Sequence, residues 1–301
     1  MRFLTQTVLL AWFACLATTV PVVAAPPPNV VLVITDDQGY GDVGAHGNTM
    51  IQTPHMDAMF AESVRLTNFH VDPTCSPTRS ALMSGRYSTR TGVWHTIMGR
   101  SLMSEREVTL AETLRANGYR TGMFGKWHLG NTPGQQGFET AVNHRKLPGF
   151  KGHRGPQGAY LADVLTERTM DFIREHREQP WCAYLAHFAV HKTLQAKRSL
   201  LAKYRAKPAG KLHRHVAMAT MIQAVDDGVG RIRKLLEELQ LAENTLILFT
   251  SDNGGFGPAT DMDPLWGYKG TYYEGGIRVP FFVHWPGVVP AGKTCDEPII
   301  G

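Results

Sequence analysis

The sequence has few cysteines and, after its first residues, no long apolar run. Four cysteines in 301 residues are too few for a small domain held together mainly by disulfides. No segment beyond residue 25 contains the ~20 consecutive apolar residues that cross a bilayer. The sequence also has no Asn-x-Ser/Thr acceptor and no internal repeat. We therefore expect no stable membrane insertion.

The basic residues form no block. Lysine and arginine number 31 against 26 acidic residues, a formal net charge of +5, but they are dispersed along the chain. This distribution suits an anionic substrate and gives no specific support for nucleic-acid binding, so we expect no nucleic-acid partner. The hydrophobic content of 43% and charged content of 19% are typical of a soluble globular protein, here one large α/β domain.

The first 25 residues have the pattern of a secretory signal peptide. Arg2 precedes a mostly apolar stretch, residues 8–23, and Ala24-Ala25 closes a small-residue cleavage pattern. A membrane anchor is the alternative, but the stretch is short and Pro21 interrupts it. Residues 26–28 are three prolines that form a stiff spacer. We expect an exported protein, periplasmic or extracellular after cleavage near Ala25.

Four candidate strands end in charged or metal-capable residues. Asn29–Thr35 (NVVLVIT) is a β-branched run without alternation, which is typical of a strand buried on both faces of a parallel sheet. It stops at Asp36-Asp37. The other three are residues 119–124, residues 181–188 and Thr245–Ser251, which lead into Lys126 and His128, His191, and Asp252 and Asn253, respectively.

Helical segments lie between these strands. Thr109 and Glu112 form a capping-box pattern, and Gly118 suits the end of that helix. Further on, four apolar residues at helical spacing share one face: Val225, Val229, Ile232 and Leu236. Alternating strands and helices predict a doubly wound, mostly parallel sheet flanked by helices. In such sheets ligands bind beyond the carboxyl ends of the strands, where all four polar clusters fall.

Two of the clusters offer only oxygen ligands, from Asp36, Asp37, Asp252 and Asn253. Oxygen ligands suit a hard cation such as calcium or magnesium and not zinc. A divalent ion would also explain two adjacent carboxylates that otherwise repel each other. The alternative is that Asp-Asp and Asp-Asn-Gly are ordinary turn formers.

Cys75 is expected at the N-terminus of a short helix. Ser76 can cap it, Pro77 suits its first position and Gly85 can end it. Unpaired amides and the helix dipole favour a bound anion at this position, and Arg79 lies about one turn further on. The alternative is a structural thiol with no further role.

The residues around Cys75 resemble the hallmark of an enzyme family. Cys75-Ser76-Pro77-Thr78-Arg79, followed by Ser84-Gly85-Arg86, is similar to the signature of the formylglycine-dependent (type I) sulfatases. Residues 118–128 (GYRTGMFGKWH) are similar to their second signature. The resemblance runs from Asn29 to the end of the chain, through residues 36–41 (DDQGYG), 251–255 (SDNGG) and 269–276 (KGTYYEGG).

This resemblance implies an alkaline-phosphatase-like fold over residues 29–301 and hydrolysis of sulfate esters of a small molecule or glycan. It also implies that a formylglycine-generating maturation enzyme oxidises Cys75 to an aldehyde. Calcium would be held by the modified residue together with the four oxygen donors, Asp36, Asp37, Asp252 and Asn253.

The resemblance further implies a role for each basic residue. One hydroxyl of the hydrated aldehyde attacks sulfur, while Arg79, Lys126 and Lys269 offset charge on the sulfuryl oxygens. His191 or Lys269 protonates the departing alcohol, and His128 takes a proton from the second hydroxyl to release sulfate. His187 could compete with His191, whose neighbourhood departs from the family's usual His-Thr-Pro-Leu.

Conversion of Cys75 would leave two cysteines in the exported chain. Cys182 and Cys295 could pair in an oxidising compartment, or Cys182 could be an inert thiol in a buried strand.

The family normally continues past the position of Gly301 into a smaller C-terminal subdomain, so we expect a chain truncated at its C-terminus. Two other functions stay open at this point. One is a phosphate or phosphonate ester hydrolase of the same superfamily, and the other is a catalytically inactive secreted glycan-binding protein.

Overall fold

A computed structural model describes residues 26–210, 213–260 and 262–301. The predicted signal peptide, residues 1–25, lies outside the described residues. The strands are β1 (Asn29–Thr35), β2 (Val64–Leu66), β3 (Phe69–His70), β4 (Arg120–Gly125), β5 (Thr140–Asn143), β6 (Trp181–Ala186), β7 (Thr245–Ser251), β8 (Phe281–His284), β9 (Lys293–Cys295) and β10 (Ile299–Ile300). The helices are α1 (Pro54–Ala61), α2 (Cys75–Ser84), α3 (Leu110–Ala116), α4 (Leu161–Glu175), α5 (Leu201–Ala206), α6 (Val216–Glu238) and α7 (Glu274–Ile277).

Eight strands form one mixed sheet in the order β5-β4-β6-β1-β7-β8-β2-β9. The first five strands in this order run parallel to their neighbours. Strand β8 is antiparallel to both β7 and β2, and β2 pairs in parallel with β9. The remaining pair, β3 and β10, forms a separate two-stranded sheet. The prediction of a mostly parallel sheet flanked by helices is confirmed.

The four strands predicted to carry the site are neighbours in this sheet. Ile34 of β1 is level with Ala186 of β6, which is in turn level with Gly125 of β4. On the other side Thr35 is level with Ser251 of β7. Because the strands are parallel and in register, their carboxyl ends meet at one edge of the sheet.

Strand β1 is buried on both faces, as its unbroken apolar run predicts. Val31 and Val33 belong to the core beneath α4 and α6, whereas Leu32 and Ile34 belong to a second core on the opposite face. The first core also contains the predicted apolar face of α6, in which the following residues are all buried: Val225, Val229, Ile232 and Leu236.

Helix ends follow the predicted signals, with two exceptions at the start of α2. Thr109 and Glu112 form the capping box of α3, and Gly118 beyond its end has φ of 84°. Gly85, with φ of 65°, ends α2. The predicted cap by Ser76 is wrong: Ser76 is already helical and its hydroxyl donates to the carbonyl of His128 at 2.8 Å. The prediction of Pro77 at the first helical position is also wrong, because α2 begins two residues earlier, at Cys75.

Cys182 and Cys295 are both free thiols. Cys182 is buried in β6 and Cys295 lies in β9, with four strands of the sheet between them. At about 4.8 Å per strand this separation is far beyond the reach of a disulfide. The alternative of a buried inert thiol at Cys182 fits the fold. Among the described residues, no helix is both long enough and apolar enough to cross a membrane.

Candidate active site

The loops after β1 and β7 bring four oxygen-bearing side chains together. The amide of Asp252 donates to the carbonyl of Thr35 at 3.0 Å, so the parallel ladder continues into the loops. Asp37 has φ of 63°, a left-handed conformation that is uncommon outside glycine and is often held at functional sites. Its amide donates to Oδ1 of Asp252 at 3.3 Å. These bonds fix the two acidic loops against each other.

Three of the four predicted ligand side chains have a buried oxygen without a hydrogen-bond partner: Asp36 Oδ1, Asp37 Oδ2 and Asn253 Oδ1. Gln38 Oε1, in the loop after β1, is another such oxygen. The amide nitrogen of Asn253 donates to Oδ1 of Asp37 at 2.9 Å, which turns its own oxygen away from that carboxylate. Unpaired buried acceptors are costly, and a hard cation would satisfy them. The donor set therefore fits calcium or magnesium. One atom each of Asp36, Asp37, Cys75 and His191 lies within 4.8 Å of the others, a cluster that could hold a metal ion.

The carboxylates also influence each other's ionisation. Burial and the negative charge of Asp36 together raise the pKa of Asp37 to about 7, although the charge of Lys269 acts in the opposite direction. Burial also raises the pKa of Asp36, but the positive charges of Lys126 and of His191 outweigh it and hold that pKa well below its usual range. Repulsion of this kind among buried carboxylates favours a bound cation.

Arg79 is fully buried and joins α2 to the acidic loops. Its Nε and Nη2 lie 2.9 and 2.8 Å from Oδ2 of Asp252. Its Nη1 donates to the carbonyl of Lys126 at 2.7 Å and to the hydroxyl of Tyr184 at 3.4 Å. Helix α2 therefore presents both Cys75 and Arg79 to the site, about one turn apart.

Lys126 and Lys269 are far apart in the sequence, but each pairs with one of the two adjacent carboxylates. Lys126 follows β4 and its ammonium pairs with Asp36, and both groups are buried. Lys269 pairs with Asp37 and its Nζ lies 3.7 Å from Sγ of Cys75. Two ammonium groups and one guanidinium thus surround the thiol, and such a positive setting suits an oxyanion.

Cys75 is 1% exposed and is the first residue of α2. Burial raises the pKa of its thiol to about 11, although the charge of Lys126 acts in the opposite direction. An unmodified thiol at this place is therefore protonated near neutral pH and is a weak nucleophile.

His128 and His191 lie at the rim of the cluster. His128 has φ of 62°, and its Nε2 lies 3.2 Å from the carbonyl of Thr96 while its Nδ1 is buried without a partner. A proton on Nε2 satisfies that carbonyl and leaves Nδ1 as the proton acceptor. Nε2 of His191 lies 3.9 Å from Oδ2 of Asp37, and its Nδ1 lies 2.6 Å from the carbonyl of Lys192.

His187 does not belong to this group. Its ring is fully buried, neither ring nitrogen has a hydrogen-bond partner, and burial together with the charge of His153 lowers its pKa to about 3. His191, and not His187, lies beside Asp37 and Cys75. The competing assignment to His187 therefore has no geometric support.

The sequence alone did not point to two residues that hold site residues in place, Tyr184 and Asp42. Tyr184 contacts Arg79 from inside β6, and its hydroxyl in an otherwise apolar strand was the available signal. Asp42 accepts from the amide of Gly39 at 2.8 Å and lies 3.1 Å from Nε2 of His213, which braces the loop after β1. No local pattern distinguishes Asp42 from a turn former.

Known proteins are similar to this chain in sequence and in fold. The family model described as Sulfatase matches residues 28–299. Arylsulfatase J of Mus musculus is 33% identical, over 90% of this chain and 50% of its own length. N-acetylgalactosamine-6-sulfatase of Canis lupus familiaris is 30% identical, over 91% of this chain and 60% of its own.

A solved structure is equally similar. The crystal structure of Ps i-CgsB in complex with k-i-k-neocarrahexaose superposes with a TM-score of 0.80 at 32% identity, covering 91% of this chain and 69% of that one. The chain spans only 50% to 60% of the length of the two curated relatives. With a family match over nearly its whole length and an alkaline-phosphatase-like fold, this chain belongs to the sulfatase family.

Proposed function

We propose that residues 29–301 form a catalytic domain that hydrolyses sulfate esters, with a formylglycine made from Cys75 as nucleophile and one bound calcium ion. The observation that carries the proposal is the set of three unpartnered buried oxygens, of Asp36, Asp37 and Asn253, beside a buried cysteine. Membership in the sulfatase family supports the reaction class.

The metal would be held by Asp36, Asp37, Asp252, Asn253 and the modified residue 75. Bound there, calcium would polarise a sulfuryl oxygen and lower the pKa of a hydroxyl that it contacts. Asn253 is oriented for this role because its nitrogen is already engaged by Asp37. Asp252 keeps its position through Arg79, which occupies its second oxygen.

The first step transfers the sulfuryl group to residue 75. A maturation enzyme would convert Cys75 to an aldehyde with an external two-electron oxidant and loss of the sulfur, and the hydrate of the aldehyde carries two hydroxyls on one carbon. One hydroxyl gives its proton to a carboxylate of the acidic loops, and its oxygen forms a bond to sulfur while the sulfur–oxygen bond of the ester breaks and the ester oxygen leaves with the electron pair. Lys126, Lys269 and Arg79 offset the negative charge on the sulfuryl oxygens. The 3.7 Å separation between Lys269 Nζ and Cys75 Sγ supports a direct role for Lys269.

The departing alcohol takes its proton from His191 or Lys269. His191 lies 3.9 Å from Asp37 and on the exposed side of the cluster, where an alcohol can leave. A charged Lys269 has a proton to donate, since the charges of Asp36, Cys75 and Asp37 outweigh burial and raise its pKa. Esters with good leaving groups need no proton on departure. Substitution of the residue that donates the proton should therefore affect these esters least, which distinguishes His191 from Lys269.

The second step restores the aldehyde. His128 takes the proton of the remaining hydroxyl, the carbonyl bond re-forms and sulfate leaves with the electron pair of the carbon–oxygen bond. The unpartnered Nδ1 of His128 supports this assignment. A thiol or an alcohol at residue 75 has no second hydroxyl on the same carbon, so it could not release its own ester in this way.

Two measurements on the same preparation test the proposal. Peptide mass spectrometry should find residue 75 as the aldehyde after coexpression with a maturation enzyme, and sulfate should then be released from 4-nitrophenyl sulfate. Cys75→Ala should abolish release, and Cys75→Ser should stop after one sulfuryl transfer. Equal turnover by the wild type and Cys75→Ala would overturn the proposal.

The remaining alternatives separate in the same assays. Faster release from phosphate or phosphonate esters than from sulfate esters would favour the phosphoryl hydrolase. An unmodified Cys75 with binding of sulfated glycans and no hydrolysis would favour a glycan-binding protein. Export is also part of the proposal, and a mature N-terminus just after Ala25 would support it.

A further inference from the structure

Exposed aromatic side chains cluster in the loop that carries Lys269. Trp266, Tyr268 and Tyr273 are 75%, 53% and 60% exposed. The rings of Trp266 and Tyr273 meet edge to face, with centroids 6.4 Å apart. Grouped exposed aromatics usually mark a binding surface, because leaving them in water is unfavourable. None of these three rings takes part in the proposed sulfuryl transfer.

These rings line a cavity of about 490 Å³. That volume falls within the range of about 300–1,000 Å³ for small-molecule sites. The described residues that line it carry no charged side chain and include, besides the three rings, Met262, Leu265 and Thr271. This part of the lining therefore suits an uncharged part of a ligand, and its described residues offer no charged partner for a second sulfate group.

The backbone beneath the rings is fixed by hydrogen bonds. The amide of Gly275 donates to the carbonyl of Trp266 at 2.8 Å, and the hydroxyl of Thr271 donates to the carbonyl of Tyr268 at 2.7 Å. The ring of Tyr268 lies over Gly257, where a Cβ would come within 2.8 Å of it. A rigid backbone lowers the entropic cost of presenting the rings to a ligand.

The cavity adjoins the candidate active site, because the loop that lines it also carries Lys269, whose Nζ lies 3.7 Å from Sγ of Cys75. Met262 in its lining packs so closely on Gly39 that a Cβ there would lie 2.4 Å from its sulfur. Gly39 belongs to the loop that begins with Asp36 and Asp37. The amide of Lys269 donates to the carbonyl of Gly255 at 3.0 Å, close behind Asn253. The aromatic cluster and the acidic loops therefore pack directly against each other.

We propose that this cavity binds an uncharged sugar ring of a sulfated oligosaccharide, adjacent to the ring whose sulfate ester is cleaved. The proposal rests on the proposed sulfatase function, since it assigns that site a carbohydrate substrate. One face of a pyranose ring presents C–H groups that pack on an aromatic ring, while its hydroxyls can bond to the hydroxyls of Tyr268 and Tyr273. Trp266 provides the largest stacking surface.

The test compares a substrate that has a second sugar ring with one that has none. Trp266→Ala should lower the ratio of kcat/KM for sulfated carrageenan and chondroitin oligosaccharides to kcat/KM for 4-nitrophenyl sulfate by about tenfold, which corresponds to about 1.4 kcal/mol. The change should appear in KM, and Trp266→Phe should restore part of it. Tyr272→Ala is the matched control, because Tyr272 lies in the same loop and is 82% exposed but does not line the cavity.

A binding measurement keeps the inference testable if no sulfate is released. Desulfated oligosaccharides of the same two polymers, titrated by calorimetry, should bind the wild type and Tyr272→Ala equally and Trp266→Ala about tenfold more weakly. Binding without turnover would contradict the proposed reaction and keep the sugar site. Turnover with an unchanged ratio in Trp266→Ala would contradict the sugar site alone.

Another occupant of the surface would give a different result. If a second copy of the chain covers the aromatic cluster, sedimentation should show a dimer in the wild type and a monomer in Trp266→Ala, with no difference in oligosaccharide binding. That outcome would overturn the proposal.

Discussion

Arg79 and Asp252 form a buried ion pair in which two guanidinium nitrogens, at 2.9 and 2.8 Å, share one carboxylate oxygen. The pair leaves Oδ1 of Asp252 facing the amide of Asp37. It thus links the helix that begins at Cys75 to the loop that would hold the metal. Removing one partner of a buried pair leaves the other charge uncompensated, which typically costs about 3–5 kcal/mol.

Arg79→Lys should therefore impair both stability and turnover. Lysine keeps the charge but lacks the planar donors that reach Asp252 and the carbonyl of Lys126 together. Because the charge is kept, the loss comes from these charge-assisted hydrogen bonds: we expect the free energy of unfolding to fall by about 3 kcal/mol and sulfate release to fall roughly 100-fold. Urea unfolding and a sulfate-release assay measure the two effects.

Tyr184→Phe is the matched control for Arg79→Lys. It removes only the hydroxyl that lies 3.4 Å from Nη1 of Arg79, and the expected cost is about 1 kcal/mol. If Arg79→Lys is no more harmful than Tyr184→Phe, the ion pair does not organise the site.

Calcium should stabilise the folded chain through the three unpartnered oxygens. A ligand that binds only the native state adds about 2.7 kcal/mol at 100 times its Kd, so the melting temperature should rise with calcium and return after chelation with EGTA. Asp37→Asn should abolish the calcium-dependent rise. Asp171→Asn, in which a half-exposed carboxylate of α4 is neutralised, should leave it intact. A calcium response that survives in Asp37→Asn would contradict the assigned ligand set.

The strands and their polar ends could be predicted because the apolar β-branched run and the polar residues that follow it are adjacent in the sequence. The β-branched runs of β1 and β7 have the bounds that the sequence predicts. Strand β4 starts and ends one residue later than predicted, at Arg120–Gly125, and β6 stops at Ala186 and not at 188. Strands such as β9 and β10 have only two or three residues, too few for any periodicity to register.

Contacts between distant segments were harder to predict. Lys269 reaches Cys75 across 194 positions of sequence, and only the resemblance to a family pointed to it. The hydroxyl of Ser76 binds the carbonyl of His128, although its position in the sequence favours a helix cap. Tertiary contact overrode local preference there, because a buried carbonyl needs a donor.

Asp226 should make stability depend on pH. It is buried on α6, and its carboxylate accepts from the amides of Met56 and His55 at the start of α1. Burial nevertheless raises its pKa from 3.8 to about 7. Between these two values the folded chain keeps a proton that the unfolded chain has released, so stability should fall as pH rises from about 4 to about 7.

Asp226→Asn tests this dependence. Asparagine cannot titrate, and its amide oxygen can still accept from Met56. The pH dependence of urea unfolding should become shallower in that window relative to the wild type. An unchanged slope would show that Asp226 has an ordinary pKa and that other groups cause the dependence.

Gly125 is the position where a single methyl group should disturb the site most directly. It has φ of 124°, and a Cβ there would lie 1.8 Å from the carbonyl oxygen of Ala186. The same carbonyl accepts from the amide of Lys126 at 2.8 Å. Gly125→Ala must therefore push β4 away from β6 and move the ammonium of Lys126 away from Asp36. We expect a loss of at least about 3 kcal/mol in stability and a large fall in sulfate release.

Gly85→Ala is the control for Gly125→Ala, because it places alanine at a positive φ without a steric clash. Gly85 also has positive φ, 65°, but no atom lies within 4 Å of where its Cβ would be. A left-handed alanine there should cost about 1–2 kcal/mol without moving Lys126. Urea unfolding of the two variants should thus differ by the energy of the Ala186 contact and the additional backbone strain at φ of 124°, and equal losses would mean that β4 and β6 can separate freely at this edge.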